Sequence, residues 1–491
     1  MIDKLRQLAR SSIIYGAGNY GVKLVGFFLI PVYTRYLTPA DYGILALLAS
    51  FDRVLFIFLN LGQSTALFRY YYDHDTPEGR NRVIAGSLWI ILLFSLPLAL
   101  VVLALSFPTA TLLLGDGALY PLVAIGVLTM ACQALLRLPF AVLRANARDT
   151  HYALWSIART ALSAGLAVVL VVGAHWGVRG VLLGALTTEA IMVVLLLPMI
   201  LGALRAGWAG PETWAQLSFG LALVPAGLAD FVLDLSDRFF LKHYASLDDV
   251  GIYSLGYRFG EIIFFVVTAV QLAWPQFVFS NHRSEGAPEL YAYASTYYMA
   301  GLLFLVLGIS VLAPEVITLM ATPAFHGAAV VVPLIALSGL CQGLNSIGTI
   351  GIMLRRRPIV RSVGLIVAAT VNIGLNFLLI PRYGMLGAAW ATLIAFVVEM
   401  TLLVSVALRY YPIPYQWSRM VRLLLAAGGV YAASSFLPPA SAALTVAFKA
   451  GILALFPVLL WLLRFFESTE LRYAQQLATG VLRRVAPPRS A

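Results

Sequence analysis

YLTPADYGIL, from Tyr36 to Leu45, and YASLDDVGIY, from Tyr244 to Tyr253, decide the reading of this chain, because they are one motif written twice. Tyr36 corresponds to Tyr244, Asp41 to Asp249, Gly43 to Gly251 and Ile44 to Ile252, each pair 208 residues apart. Two further landmarks keep nearly the same offset. GVRG at Gly177–Gly180 answers GMLG at Gly384–Gly387 at 207, and Cys132-Gln133 answers Cys341-Gln342 at 209. Each match alone is weak. Held in order along the chain, they indicate that one unit was duplicated.

That unit is membrane-embedded. A chain of 491 residues with 61% hydrophobic and 11% charged residues lies outside the range of soluble globular proteins. Apolar runs long enough to cross a bilayer recur from about residue 12 to about residue 466, and we count about fourteen. The fold class expected is an all-α polytopic membrane protein.

Basic residues orient the bundle. Lys4, Arg6 and Arg10 precede the first run, Arg69, Arg80 and Arg82 follow the second, and Arg144 and Arg148 follow the fourth. Arg355-Arg356-Arg357, Arg361 and a basic tail fall on the same side, which places both termini in the cytoplasm. The net charge of +11 is therefore topological and implies no nucleic-acid partner. The first run is too long and too polar for the core of a cleaved signal, so it is expected to remain as a helix. Cys132 and Cys341 fall inside spans and read as small packing residues.

Each repeat holds six spans, an even number, so both copies enter the membrane in the same direction. The pseudo-twofold axis should then lie along the membrane normal. The expected organisation is a six-helix lobe at 1–210, a second at 211–412, and two extra helices with a basic cytoplasmic tail at 413–491. Internal duplication of this kind is how many transporters build two parts around a shared site. Gly16, Gly18, Gly21, Gly26 and Pro31 in the first span correspond to Gly220, Pro225 and Gly227 in the seventh, where we expect helices able to bend.

Three stretches carry a family resemblance: FFLIPVYTRYLTPADYGIL (27–45), LGQSTALFRYYYD (61–73) and NIGLNFLLIPRYGMLGAAWAT (372–392). Over at least residues 10–410 the chain resembles the polysaccharide-transport, or oligosaccharide-lipid flippase, branch of the multidrug/oligosaccharidyl-lipid/polysaccharide exporter superfamily. The resemblance implies two six-helix lobes and a polyprenyl-diphosphate-linked oligosaccharide as substrate. Fourteen spans exceed the twelve of many such flippases and are similar to the lipid II flippase, in which the extra pair forms part of a groove for the lipid tail.

A charge in a bilayer core costs about 3 kcal/mol or more on insertion scales, so such charges face a cavity or a partner. Lys23, Arg53, Arg137 and Arg159 lie well inside spans of the first repeat. Asn19 and Lys23 share one face of the first span, and Gln133 and Arg137 share one face of the fourth. A cationic cavity formed by Lys23, Arg53, Arg137, Arg159 and Asn19 would suit a diphosphate, since guanidinium grips phosphate with paired hydrogen bonds. The competing reading pairs Arg53 with Asp52 or Glu189 and lets Arg159 reach the cytoplasmic face. Asp230, Asp234, Glu189 and Glu399 are intramembrane carboxylates, candidates for coupling to H⁺ or Na⁺, though Asp234 could pair with Arg238. Asp41 and Asp249, with Gly43 and Gly251, read as helix caps or as a gate.

The function expected is translocation of a polyprenyl-diphosphate-linked oligosaccharide across the bacterial cytoplasmic (inner) membrane for surface polysaccharide synthesis, by alternating access and without a cofactor. Membrane lipids, a glycan polymerase and export machinery are the partners that follow. Cation-coupled multidrug efflux is the alternative, and it calls for carboxylates and aromatics where the first repeat offers cations. A membrane polymerase or acyltransferase is a third reading, but none of the six histidines falls in a catalytic constellation.

Overall fold

The computed structural model describes residues 25–146, 148–208, 210–355, 357–436, 441–467 and 470. Asn19 and Lys23 lie outside the described residues. Regular structure among the described residues is helical throughout. In a bilayer a helix satisfies its backbone polar groups within its own segment, so long apolar runs fold this way.

Among the described residues, eleven stretches are long and apolar enough to cross a membrane. About fourteen were expected, and the difference is one of division. The stretch Ile359–Tyr410 contains the non-helical Gly384 (φ 53°, ψ −129°) and folds as two helices. Helix Trp417–Ser434 carries Arg419 and Arg422 and is not among the eleven. The first half of the first expected span lies outside the described residues.

The duplicated landmarks fold alike. Gly177 and Gly384 both take positive φ, at 52° and 53°, where the absence of a Cβ removes the left-handed penalty. Three residues on, each repeat has a glycine against the backbone of the preceding helix. A Cβ on Gly180 would stand 3.1 Å from the Leu170 carbonyl oxygen, and one on Gly387 2.4 Å from that of Leu379.

The N-terminal caps are also duplicated. Thr38 and Asp41 form a reciprocal capping box at the start of helix Pro39–Asn60: Asp41 N donates to Thr38 Oγ1 (3.2 Å) and Thr38 N donates to Asp41 Oδ2 (3.0 Å). At the second copy Asp249 N donates to Ser246 Oγ (3.1 Å), whose hydroxyl donates back to Asp249 Oδ2 (2.6 Å).

Helix breaks fall where glycine and proline stand. Leu61 and Gly62, at φ 44° and 65°, separate helix Pro39–Asn60 from Gln63–Tyr71. The seventh span divides at Leu223, before Pro225, and again at Ser236, giving helices Gly210–Leu221, Val224–Leu235 and Asp237–Tyr244.

Contacts divide the chain into two compact units. The first comprises Met1–Arg258, Ile317–Ile335 and Pro358–Glu399, and so takes in segments of both sequence repeats. One of its cores gathers Leu67, Val83, Leu88 and Leu138. The second unit comprises Phe259–Val316, Ala336–Arg357 and Met400–Ala491, with a core that includes Val306, Leu340, Leu423 and Phe456. Polar links reinforce it. Lys449 Nζ donates to both Glu315 oxygens (2.6 and 2.8 Å) and to the Val311 carbonyl (2.9 Å), joining helix Ala442–Leu462 to Ala287–Met320. Beyond the last helix the chain folds back, and Arg419 ties it down through Glu467 (3.3 Å) and Glu470 (3.0 Å). An apolar groove of about 390 Å³ within this unit is lined by Met299, Val404, Trp417, Met420 and Leu424, among others.

Candidate functional site

Helix Tyr120–Ala145 carries Gln133, Arg137 and Arg144 at steps of four and seven, which at 3.6 residues per turn puts them on one face. Helix Asp149–Val168 presents Tyr152, Ser156 and Arg159 at the same four- and three-residue steps. These two faces, with Ser64 and Phe68 of helix Gln63–Tyr71, enclose a cavity of about 250 Å³ in the first unit.

Three guanidinium groups line this cavity, and they differ in how they are held. Arg159 Nε donates to both oxygens of Glu189 (3.0 and 2.9 Å), and its Nη2 bonds the same carboxylate. Gln133 Nε2 adds a 3.0 Å hydrogen bond to Glu189 Oε1. Glu189 is buried and stands behind Arg159 rather than on the cavity wall. Arg144 lies 5.0 Å over the Phe68 ring and 5.9 Å from that of Tyr152. Arg137 lies 4.5 Å over the Phe56 ring and has no carboxylate or hydrogen-bond partner among the described residues. The guanidiniums acting on Arg137 are those of Arg159, Arg53 and Arg144, all of its own sign, with Tyr152 acting in the opposite sense. Ring faces attract a cation, but they do not neutralise it. The wall is thus cationic, and Arg137 brings to it a charge with no carboxylate partner among the described residues.

Arg53, exposed on helix Pro39–Asn60, links this cavity to a second group of charges. Asp230 of helix Val224–Leu235 feels Arg361 first and Arg53 second, so a carboxylate and two guanidiniums share the space beside the basic wall. All of these residues belong to the first unit.

Asp237, Asp234 and Glu399 are engaged. Asp237 and Arg238 pair at 2.8 Å, Tyr253 donates its hydroxyl to Asp237, and Arg238 lies 4.4 Å over the Tyr257 ring. Arg238 Nη1 donates to the backbone oxygen of Asp234 (2.7 Å) as well as to Asp237 Oδ1 (2.8 Å). Asp234 and Glu399 each have an interaction partner, and Glu399 is buried. Asn372 and Asn376 are buried side by side, with Asn376 Nδ2 donating to Asn372 Oδ1 (3.0 Å) and Ser236 Oγ reaching the same oxygen at 3.4 Å. No group of three His, Cys, Asp or Glu suited to a metal ion occurs among the described residues.

Sequence reasoning and structure meet on Arg137 and Arg159, which share the cavity, and on Arg53 beside it. Glu189, a candidate coupling carboxylate, is bound to Arg159, and Arg53 pairs with neither Asp52 nor Glu189 among the described residues. Asp41 and Asp249 cap their helices, and Gly43 and Gly251 mark a helix crossing. Arg144 and Arg361 were missed because both sit near helix ends, where basic residues read as topology signals. The stripe Gln133–Arg137–Arg144 was the available signal.

The model of a family described as "Polysaccharide biosynthesis protein" matches residues 32–330. The succinoglycan biosynthesis transport protein ExoT of Rhizobium meliloti (strain 1021) is 24% identical over 298 residues, covering 60% of this chain and 58% of that one. The chain matches about three fifths of the length of its curated relatives. Among solved structures, the lipid II flippase MurJ in an inward closed conformation superposes with a TM-score of 0.66 at 12% identity, over 92% of this chain and 99% of that one. An inward-facing multidrug resistance transporter of the MATE family and MOP superfamily gives 0.58 at 15% identity, over 82% and 96%. These likenesses establish the fold, a polytopic helical bundle of the kind used by those transporters.

Proposed function

This chain belongs to the polysaccharide biosynthesis protein family, and from that premise we propose that it moves a polyprenyl-diphosphate-linked oligosaccharide across the bacterial cytoplasmic membrane. The observation that carries the proposal is the basic cavity in which Arg137 has no anionic partner among the described residues. A diphosphate supplies what that wall lacks. It brings negative charge on several oxygens that planar guanidinium groups can grip in pairs, and aromatic rings at Phe68 and Tyr152 suit the adjoining sugar rings.

With both termini cytoplasmic, the cavity lies in the cytoplasmic half of helix Tyr120–Ala145, on the side where such a lipid would be loaded. The lobes expected at 1–210 and 211–412 would then exchange access, Lys23 and Asn19 adding to the loading site. Efflux of an organic cation is disfavoured, because a cationic wall repels a cationic drug.

The test is to delete the gene and measure the polyprenyl-diphosphate pool by mass spectrometry, then to complement with wild type or Arg137→Gln. The expected result is accumulation of one oligosaccharide-loaded lipid and loss of the surface glycan, reversed by wild type but not by Arg137→Gln. An unchanged lipid pool in the deletion strain, with altered drug sensitivity, would replace this reading by efflux.

A further inference from the structure

Asp52 stands at the middle of helix Pro39–Asn60, nine residues past Gly43 and ten before Gly62. At 1.5 Å per residue it lies roughly 14 and 15 Å from those two glycines. Both glycines touch segments of the second repeat. A Cβ on Gly43 would fall 3.2 Å from Gly251 N, and one on Gly62 would fall 2.6 Å from the Cα of Gly220. Asp52 therefore sits halfway along a helix that meets the other repeat at both ends.

Its carboxyl points away from those contacts, into the first repeat. A Cβ on Gly126 of helix Tyr120–Ala145 would be 3.0 Å from Asp52 Oδ1, so glycine makes the room that the carboxyl occupies. Oδ1 is closed off from solvent and has no hydrogen-bond partner among the described residues. Asp52 as a whole is half-buried, and an ionised carboxylate so placed would lose the hydration of Oδ1 with no hydrogen bond there in exchange.

The charges on the neighbouring elements are spoken for elsewhere. Glu189 of helix Gly177–Leu196 is bound to Arg159, and Arg179 at the start of that helix is exposed. Asp237 and Arg238 of helix Asp237–Tyr244 hold each other, while Lys242 and His243 stand in its last turn. Asp230 of helix Val224–Leu235 faces Arg361 and Arg53, and Asp234 is engaged. On helix Tyr120–Ala145 itself, Arg137 and Arg144 lie over aromatic rings at the cavity. Helices Leu96–Ala104 and Ser106–Leu114 carry no charged residue. Arg53, the next residue along, is turned by 100° and exposed.

We propose that Asp52 is a proton-binding site: it holds a proton in this conformation and releases it to water when helix Pro39–Asn60 shifts away from Gly126. The step is simple ionisation, the O–H bond breaking to leave a carboxylate and the proton passing to solvent. Once formed, the carboxylate has Arg53 as the nearest cation along its own helix, so ionisation and rearrangement of the basic cavity are linked. The proton site itself is independent of cargo. Its role in driving transport rests on the flippase reading.

Infrared difference spectroscopy on the full chain in proteoliposomes tests this directly, comparing wild type with the isosteric Asp52→Asn. At neutral pH the wild type should show a protonated-carboxyl C=O band that shifts in D₂O and is absent from Asp52→Asn, with thermal stability unchanged or higher in the variant. Superimposable spectra, or a variant destabilised as if an ion pair had been cut, would overturn the site. Glycan export should follow an imposed pH gradient in wild type and lose that dependence in Asp52→Asn. If the band is present but wild-type export ignores the gradient, the coupling role fails while the cargo reading stands. If the band is present and no lipid-linked glycan accumulates on deletion, the cargo reading fails and the proton site remains.

Discussion

Gly43 and Gly251, the same position in the two sequence repeats, pack against each other backbone to backbone. A Cβ on Gly43 would stand 2.0 Å from the Leu247 carbonyl oxygen, and one on Gly251 would stand 1.9 Å from that of Pro39. Each glycine thus admits the first turn of the other copy's helix. Inside a bilayer apolar burial gives little drive for helix association, so close backbone approach at small residues has to supply it. The shared glycine of the two motifs follows from this geometry, because a reciprocal contact between the copies needs the same small residue on both sides.

Gly43→Ala and Gly251→Ala should each destabilise the protein by about 1–3 kcal/mol, since the clash is with backbone that has no rotamer to yield. Gly374→Ala, where a Cβ would meet nothing within 4 Å, should be neutral or slightly stabilising. Thermal unfolding of the three variants in detergent decides the matter. Equal melting temperatures would show that the crossing is not tight.

Arg137 and Arg159 should separate in a double test of stability and transport. Arg137→Gln leaves no buried acid unpaired, so it should fold like wild type and lose glycan export. Arg159→Ala strips Glu189 of its guanidinium and should cost about 1–3 kcal/mol. Adding Glu189→Gln should restore stability without restoring full export. A double variant no more stable than Arg159→Ala would mean that the pair does not set the cost.

Lys449 offers the corresponding test in the second unit. Lys449→Met alone leaves the Glu315 carboxylate beside helix Ala442–Leu462 without its cation, and melting should fall. Lys449→Met with Glu315→Gln should recover most of the loss. Failure to recover would show that Lys449 acts by its packing.

Acidification should release the C-terminal fold-back. Burial by itself would raise the Glu470 carboxyl, but hydrogen bonds from Tyr297 and the Glu467 backbone, with the Arg419 charge, outweigh it and hold the group below the usual glutamate range. A carboxyl lowered in the folded state contributes stability above its ordinary range and loses it as pH falls through the lowered value. Protease protection of the segment after helix Ala442–Leu462 should therefore be full at neutral pH and fall in acid. In Glu470→Gln it should be weak at every pH, and an unaltered acid transition in that variant would assign the effect to another group.

What the amino-acid sequence determined by itself was everything governed by short range or by composition. Apolar length fixed the membrane class, and the Thr38–Asp41 and Ser246–Asp249 spacings fixed two helix starts, because a capping bond closes over three residues. The offset near 208 exposed the duplication, and the paired positive φ of Gly177 and Gly384 shows that the copies are alike in backbone as well as in letters. Partner choice was decided only by tertiary structure. Arg159 finds Glu189 thirty residues away, Arg238 pairs with the adjacent Asp237, and Asp52 lies against Gly126. Hydropathy is nearly insensitive to a helix's rotation about its own axis. That rotation, set by which small residues let neighbouring backbones approach, decides which charge meets which.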